Sequence, residues 1–479
     1  MYDELAQLKQ QLEEERRRRK LAEDALLRSN AALDAVYGST RYRLGSRIAD
    51  IADKLKPRKP VSPTTDEDLS LPWFFHGCAP TPAVPSTLPI PQKGLSKDDY
   101  AMLSVPQWDN PTVSIIIPVY NQFEYTYRCV ESILRNSGTI TYEILIADDC
   151  STDLTVDITS ILNGVRHIRN GKNLRFLLNC NHAAQYAKGK YVLFLNNDTQ
   201  VMPNWLEPLV RLIESADDIG MVGSKLIYPD GRLQEAGGIV WQDGTAWNYG
   251  NKGDPAMPEF NYVKEADYIS GAAIMLPRAL WEEIGGFDES FCPSYCEDSD
   301  LAFTVRSLGY RVLYQPESVV VHFEGVSNGT STSSGLKQYQ ITNTQKLRDK
   351  WAQALTSHPK GGTCVFPARD RSLGKYTVVI LSDTAEQGFS LAMEETAKGH
   401  HVKLMPMDFD GSAPCVRTMQ QHGIEVLYGE LYKEHHLTWL VDHGQFFDCV
   451  CITFDELSEK YAALIRDKSS AVILMEARK

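Results

Sequence analysis

Leu193-Phe-Leu-Asn-Asn-Asp198 is an apolar run that ends in two amides and a carboxylate. That is the pattern of a strand buried on both faces that delivers a hard oxygen ligand to the edge of a sheet. Two runs upstream end alike, Val113-Ser-Ile-Ile-Ile-Pro-Val-Tyr-Asn121 and Ile144-Leu-Ile-Ala-Asp-Asp149. Downstream stand an acidic cluster, Glu297-Asp-Ser-Asp300, and a lone histidine after Val319-Val-Val-His322. Strands are expected near 113–118, 143–147, 191–195 and 221–223, with helices near 124–135, 153–162, 180–188 and 204–215. The alternation predicts an α/β fold with a mostly parallel sheet, whose ligands bind at the carboxyl ends of the strands. All three polar endings fall there, where metal-dependent chemistry on a phosphate ester would sit.

The composition narrows the classes further. At 479 residues the chain is too long for one ordinary domain, and 43% apolar residues suffice for real cores. The net charge of −13 is uneven: residues 1–59 carry 14 Lys/Arg against 10 Asp/Glu, or +4, which leaves −17 for the remainder. An acidic body argues against nucleic acid as a partner. It can still bind a nucleotide diphosphate that a divalent cation neutralises. The ten cysteines follow no repeated spacing and read as reduced thiols rather than a disulfide framework. Neither a signal-peptide core nor a spanning run of about 20 apolar residues is recognisable, so a cytoplasmic location is expected.

Outward from the central block, residues 1–56 read as helical. Residues 2–36 lack Pro and Gly and carry Leu5, Leu8, Leu12, Leu21, Leu26, Leu33 and Val36. They form either a short coiled coil that joins copies of the chain or a solvated helix. The basic amphipathic stretch 41–59 either lies on an anionic membrane surface, placing the protein at the inner face of the cell membrane, or packs on a neighbouring domain. Residues 57–110 read as a Pro-rich linker. The α/β domain runs from 111 to 360, with an antiparallel insertion over about 230–275 and a closing helix over 337–357. A second, Rossmann-like α/β domain occupies 374–479, starting at Tyr376-Thr-Val-Val-Ile-Leu381. Its first turn, Ser382-Asp-Thr-Ala-Glu-Gln-Gly388, lacks the Gly-x-Gly-x-x-Gly of a dinucleotide site.

The ordered motifs of residues 112–330 resemble the family 2 glycosyltransferases of the GT-A fold, inverting enzymes that use nucleotide-diphosphate sugars. The resemblance implies a role for each motif. Pro118-Val-Tyr-Asn121, with Tyr120, would form the opening nucleotide-binding turn. Asp149 would accept hydrogen bonds from the base, as an ionised carboxylate can only accept. Asn173 and Asn181 would line the diphosphate and sugar. Asn196-Asn197-Asp198 stands where the family carries its Asp-x-Asp-like signature. Asp198 would bind Mn²⁺ or Mg²⁺, and Asn196, replacing the first acid, or Asn197 would contact sugar hydroxyls. His322 would be the second metal ligand, and imidazole suits Mn²⁺ better than Mg²⁺. Asp298 would be the general base, with Glu297, Gly271 and Asp288 on the acceptor side. The donor would be a UDP, dTDP or GDP sugar. The acceptor would be a saccharide or lipid-linked saccharide, as in bacterial surface polysaccharide synthesis.

Two departures qualify the likeness. Gln345-Lys-Leu-Arg-Asp-Lys-Trp351 only approximates the Gln-x-x-Arg-Trp motif of the processive synthases, so a transferase adding one or a few sugars is expected. Residues 374–479 resemble only the amino-terminal lobe of a GT-B transferase, and would be either part of a second transferase or a docking module. An alternative reading, a degenerate transferase that scaffolds partner enzymes, draws on Asn196. Trp241, Trp247 and Tyr249 in the insertion would either stack on acceptor sugars or form a satellite core.

Overall fold

The structure is a computed structural model, described here for residues 91–324, 339–454, 458–467 and 469–475. The expected N-terminal helix, the basic amphipathic stretch and the linker before residue 91 lie outside the described residues.

Ten strands form the main sheet: β1 (Val113–Val119), β2 (Tyr142–Asp148), β3 (Arg166–Arg169), β4 (Tyr191–Leu195), β5 (Thr199–Val201), β6 (Ile219–Ile227), β7 (Leu233–Glu235), β8 (Lys264–Glu265), β9 (Ala273–Pro277) and β10 (Arg311–His322). Their order is β8-β10-β6-β9-β4-β1-β2-β3, with β5 on β10 and β7 on β6. Strands β1, β2 and β4 are buried at every position, which is why they read as continuous apolar runs rather than alternating ones. Helices α1 (Phe123–Asn136), α2 (Arg175–Ala184), α3 (Leu206–Ile213), α4 (Arg278–Ile284), α5 (Glu297–Ser307) and α6 (Tyr339–Lys350) complete the domain.

The α/β architecture and the central strands match the sequence expectation, and three details differ. The segment expected as a helix over 153–162 is a 3₁₀ stretch, Leu154–Ser160, kinked at Asp157. Its Thr, Ser, Asp and β-branched residues are poor helix formers. Asp153 caps it through a hydrogen bond from the Thr155 N–H. The helix expected over 180–188 starts earlier, at Arg175, and ends at Ala184. The chain must then pass Ser114 at Gly189, where a Cβ would come within 2.5 Å of the Ser114 backbone nitrogen. Finally, the expected linker already belongs to the domain near its end. Leu103–Ser104 pairs in parallel with Leu162–Asn163, Tyr100 packs on Phe123 and Tyr127, and Val105 joins the core.

The insertion contains the expected antiparallel pairing, Gly238–Val240 against Ala246–Asn248. Trp241 is fully buried with Ile239 and Ala368, and Tyr249 packs on them, so these two rings form the satellite core. Trp247 is the most exposed of the three.

Beyond Thr377 a second sheet follows, entirely parallel: β11 (Thr377–Ser382), β12 (His401–Pro406), β13 (Glu425–Val426), β14 (Cys449–Ile452) and β15 (Val472–Met475). Its order, β13-β12-β11-β14-β15, is that of a Rossmann-type half, and α7 (Ala385–Ala397) and α8 (Pro414–Gln421) pack on it. Among the described residues no helix is long and apolar enough to cross a membrane.

A buried polar network joins this lobe to the larger domain. Arg369 donates to both carboxylate oxygens of Glu425 at 2.7 Å. Lys403, fully buried, reaches Glu425 at 2.6 Å and Asp370 at 3.3 Å. Asp370 also accepts from Tyr262, and Tyr432 donates to Glu259 at 2.8 Å. Removing one partner of such a pair leaves an uncompensated charge, so Arg369→Met is expected to cost about 3–5 kcal/mol. Denaturant unfolding measures this, and a loss under 1 kcal/mol would show that the network does not hold the lobe.

Candidate active site

Strand β4 runs into Asn196-Asn197-Asp198, and alternation along the chain sends neighbouring side chains to opposite sides. Asn197 turns inward, donating to Thr126 Oγ1 on α1 at 3.2 Å. Asn196 and Asp198 turn to the end of β10, where His322 Nε2 lies 3.4 Å from Asn196 Nδ2 and 3.3 Å from Asp198 Oδ1. His322 Nδ1 lies 3.0 Å from Gln234 Oε1. Burial opposes a charge on this ring, but the Asp198 carboxylate outweighs it and raises the histidine pKa.

This donor set fits a divalent cation in part. A carboxylate and an imidazole converge, with the outer ring nitrogen already held by a hydrogen bond, as is usual for metal-binding histidines. Among the described residues no three His, Cys, Asp or Glu side chains gather into a fuller cluster. Two protein ligands suit a cation whose other ligands are substrate phosphates and water.

The acidic cluster opens α5. Tyr295 and Cys296 adopt positive φ, 77° and 68°, and turn the chain so that the helix starts at Glu297. Asp298 Oδ2 accepts from the Gly271 N–H at 3.0 Å, and Oδ1 accepts from the Ser299 N–H at 2.7 Å. Glu297 is buried, and its Oε2 has no hydrogen-bond partner. A third acid stands close: Glu235, fully buried, accepts from the Ser270 N–H at 2.9 Å through Oε1, and its Oε2 has no partner.

Burial, with the neighbouring Asp298 charge, raises Glu297 to about 8. Burial likewise raises Glu235 to about 8, against the hydrogen bond from Ser270. Burial raises Asp298 too, but three donors on Gly271 and Ser299 favour its ionised form.

A carboxyl group whose folded pKa is raised contributes stability that is full below the unfolded value and is lost as pH rises through the folded value. For Glu235 that window runs from about 4.5 to about 8. Replacing Glu235 by Gln removes the titration, so the fall in unfolding free energy across that window should shrink by a few kcal/mol, on the order set by linkage. Urea melts at pH 5 and pH 8 test this, and parallel slopes for both proteins would refute it.

The remaining predicted positions are distributed around the carboxyl ends of β1 and β2. Pro118 is buried in β1, and Tyr120 is exposed just beyond it. Asn121, at φ 58°, accepts from the Thr152 N–H at 2.7 Å and donates its own N–H to Ser151 Oγ at 2.8 Å, tying the two loops together. Asp149 accepts from the Leu174 and Arg175 N–H groups at 2.6 and 2.8 Å and from Asn170 at 3.0 Å. Arg175 itself has φ 70°, a conformation that favours glycine. Asn173 Oδ1 accepts from the same Arg175 N–H at 3.1 Å. Beside them opens a cavity of about 440 Å³ lined by Arg169, Asn170, Gly171, Lys172, Leu174 and His182.

Asn181 and Asp288 are engaged within the fold. Asn181 exchanges two 2.9 Å hydrogen bonds with the backbone of Phe287 and pins the Gly285-Gly286 turn. Asp288 caps a short 3₁₀ turn through the Ser290 N–H and pairs with Lys350 at 2.7 Å.

The two halves of the site meet because β9 pairs antiparallel with β4, Ala273 opposite Leu195, and the Asn196 N–H donates to Ala272 at 3.0 Å. The segment that holds Asp298 thus abuts the segment that carries Asp198. Residues 114–283, which span that junction, match the family model described as glycosyl transferase family 2. Over those residues the chain is similar to the family 2 glycosyltransferases.

Relatives place this domain in larger proteins. Over 234 residues, 47% of this chain, it is 29% identical to the uncharacterized protein y4gI of Sinorhizobium fredii, of which it covers 26%. Over 45% of this chain it is 30% identical to the O-antigen biosynthesis protein RfbC of Myxococcus xanthus, of which it covers 18%. The chain thus spans a minor part of the length of both. A structure of GalNAc-T7 with UDP, GalNAc and Mn²⁺ aligns over 51% of this chain and 50% of that one, with 18% identity and a TM-score of 0.43.

Several residues of the transferase domain escaped the sequence reading. Gln234 and Glu235 had no motif to mark them. Lys350 and Trp351 close on Asp300 at 2.8 and 2.7 Å, so α6 and the residue after it clasp the helix that begins with Glu297-Asp298. The approximate synthase motif ending at Trp351 was the available signal. Trp351→Phe removes the indole donor and leaves part of Asp300 unpaired, which should cost about 1–3 kcal/mol of stability. Thermal unfolding would show no shift if that hydrogen bond were idle.

Proposed function

We propose that the chain transfers a sugar from a nucleotide-diphosphate donor to a hydroxyl of a saccharide acceptor, with inversion at the anomeric carbon. The observation that supports this best is the junction of β4 and β9. It brings the Gly271 amide that holds Asp298 next to the strand end that carries Asp198 and its neighbour His322.

In this reading the donor nucleotide lies over the carboxyl ends of β1 and β2, against Tyr120 and Asp149. Asp149 has a lone pair left on Oδ2 for a ring N–H of the base. Asp198 and His322 would hold Mn²⁺ or Mg²⁺, which when bound offsets charge on the leaving diphosphate. Asp298 takes the proton from the acceptor hydroxyl as its oxygen attacks the anomeric carbon from the face opposite the phosphate. The bond to the phosphate oxygen breaks, and its electron pair leaves with the nucleoside diphosphate. Gly271 and Ser299 keep the base aimed, and burial holds Glu235 and Glu297 near 8 beside it.

The O-antigen role named for the Myxococcus xanthus relative favours a surface polysaccharide, or its lipid-linked precursor, as acceptor. The test is release of UDP, dTDP or GDP from a panel of donors with saccharide acceptors and Mn²⁺, followed by nuclear magnetic resonance of the product anomer. Acceptor-dependent release with an inverted anomer supports the reading. A retained anomer, or no release from any donor, would end it.

A further inference from the structure

Gln234 and Glu235 are neighbours on β7, the short strand antiparallel to β6, and both are buried, 2% and 0% exposed. Successive strand residues point to opposite faces, so one dipeptide reaches in two directions. Gln234 spends its amide N–H₂ on Glu324 Oε2 at 3.2 Å and presents its carbonyl oxygen to His322 Nδ1 at 3.0 Å. A carbonyl can only accept, so Nδ1 carries the hydrogen. Nε2 is thereby the ring atom turned to Asp198, 3.3 Å from Oδ1.

Glu235 points the other way and holds the Ser270 N–H. The next residue, Gly271, donates to Asp298. Two consecutive amides thus bridge two carboxylates, and a displacement of the Glu235 anchor moves the N–H that aims Asp298. The second oxygen of Glu235 is fully buried with no partner.

We propose that Gln234 and Glu235 are positioning residues of the transfer site, Gln234 setting the His322 ring against Asp198 and Glu235 setting the Ser270–Gly271 amides against Asp298. The inference rests on the transfer reading above. It assigns to one strand the alignment of both halves of the site, metal side and base side.

The test uses the full chain, with Asp198→Ala as reference, and the nucleoside diphosphate that the wild type binds. Calorimetry with Mn²⁺ should show that Gln234→Leu weakens metal-dependent nucleotide binding at least tenfold, within the 10–100-fold range of outer-shell partners. Binding in chelator should not change. For Glu235→Leu, kcat should fall at least tenfold while the donor KM stays within threefold. Glu235→Gln, which keeps the oxygen that accepts from Ser270, should return kcat to within threefold of wild type.

Should Glu235→Leu not fold, Glu235→Asp, too short to reach Ser270, takes its place with the same expected split. Unchanged metal-dependent binding in Gln234→Leu, or equal impairment of the Gln and Leu variants at 235, overturns the proposal. In both cases the transfer reading survives if wild type binds and Asp198→Ala does not. A wild type that shows no metal-dependent binding removes both.

Discussion

Asp298→Asn is expected to abolish transfer while leaving nucleotide binding intact. The carboxamide oxygen still accepts the Gly271 N–H that Asp298 accepts at 3.0 Å, so the loop keeps its place. What is lost is the proton acceptor. General base catalysis contributes about 10²–10⁴-fold, so kcat should fall by that factor with the donor KM within a few-fold of wild type. The two neighbouring acids should not substitute well, because burial keeps Glu297 and Glu235 near 8 and hence neutral at pH 7. Removing the Asp298 charge also lowers the pKa of Glu297, which it helps to raise. Residual activity should therefore rise with pH as Glu297 ionises. A variant that retains more than a tenth of wild-type kcat would place the base elsewhere, with Glu297 the first candidate.

Asp198→Ala should remove metal-dependent nucleotide binding. The Asp198 side chain pairs with His322 Nε2, whereas its backbone carbonyl, which the substitution preserves, accepts the Phe323 N–H at 2.9 Å. The fold should tolerate the change. With one of two protein ligands gone, affinity in Mn²⁺ should drop by about 100-fold or more, beyond the range seen for outer-shell residues. The expected result is a calorimetric isotherm in Mn²⁺ that coincides with the one in chelator. An unaltered Mn²⁺ response would show that the cation sits elsewhere or takes no part in donor binding. His322→Ala offers a second check, because its ring is the other group that converges on the position.

Local patterns made much of this legible in advance. Continuous apolar runs named β1, β2 and β4, since strands buried on both faces need no alternation. Polar endings marked the carboxyl edge of the sheet. Other features were illegible for identifiable reasons. The 3₁₀ stretch after Asp153 resembles a helix in apolar spacing, and only its hydrogen bonds decide the pitch. Asn181 has the chemistry of a sugar ligand, yet its amide is taken by Phe287, 106 residues away. Gln234 finds His322 at a separation of 88 residues, and Glu235 finds Ser270 at 35.

The sequence by itself determined the fold class, the strand endings and the acids and histidine proposed to bear the chemistry, because these depend on periodicity and on side-chain type. The tertiary structure decided which of those side chains remain free for a substrate and which are used to hold the fold. It also joined Asp298 to the Asp198 edge through the β9–β4 pairing, and packed the second lobe through Arg369, Lys403 and Glu425. The physical reason is that each of these is a contact between segments far apart in the chain. Such a contact forms only when strand register and burial bring the partners together, and no local pattern encodes it.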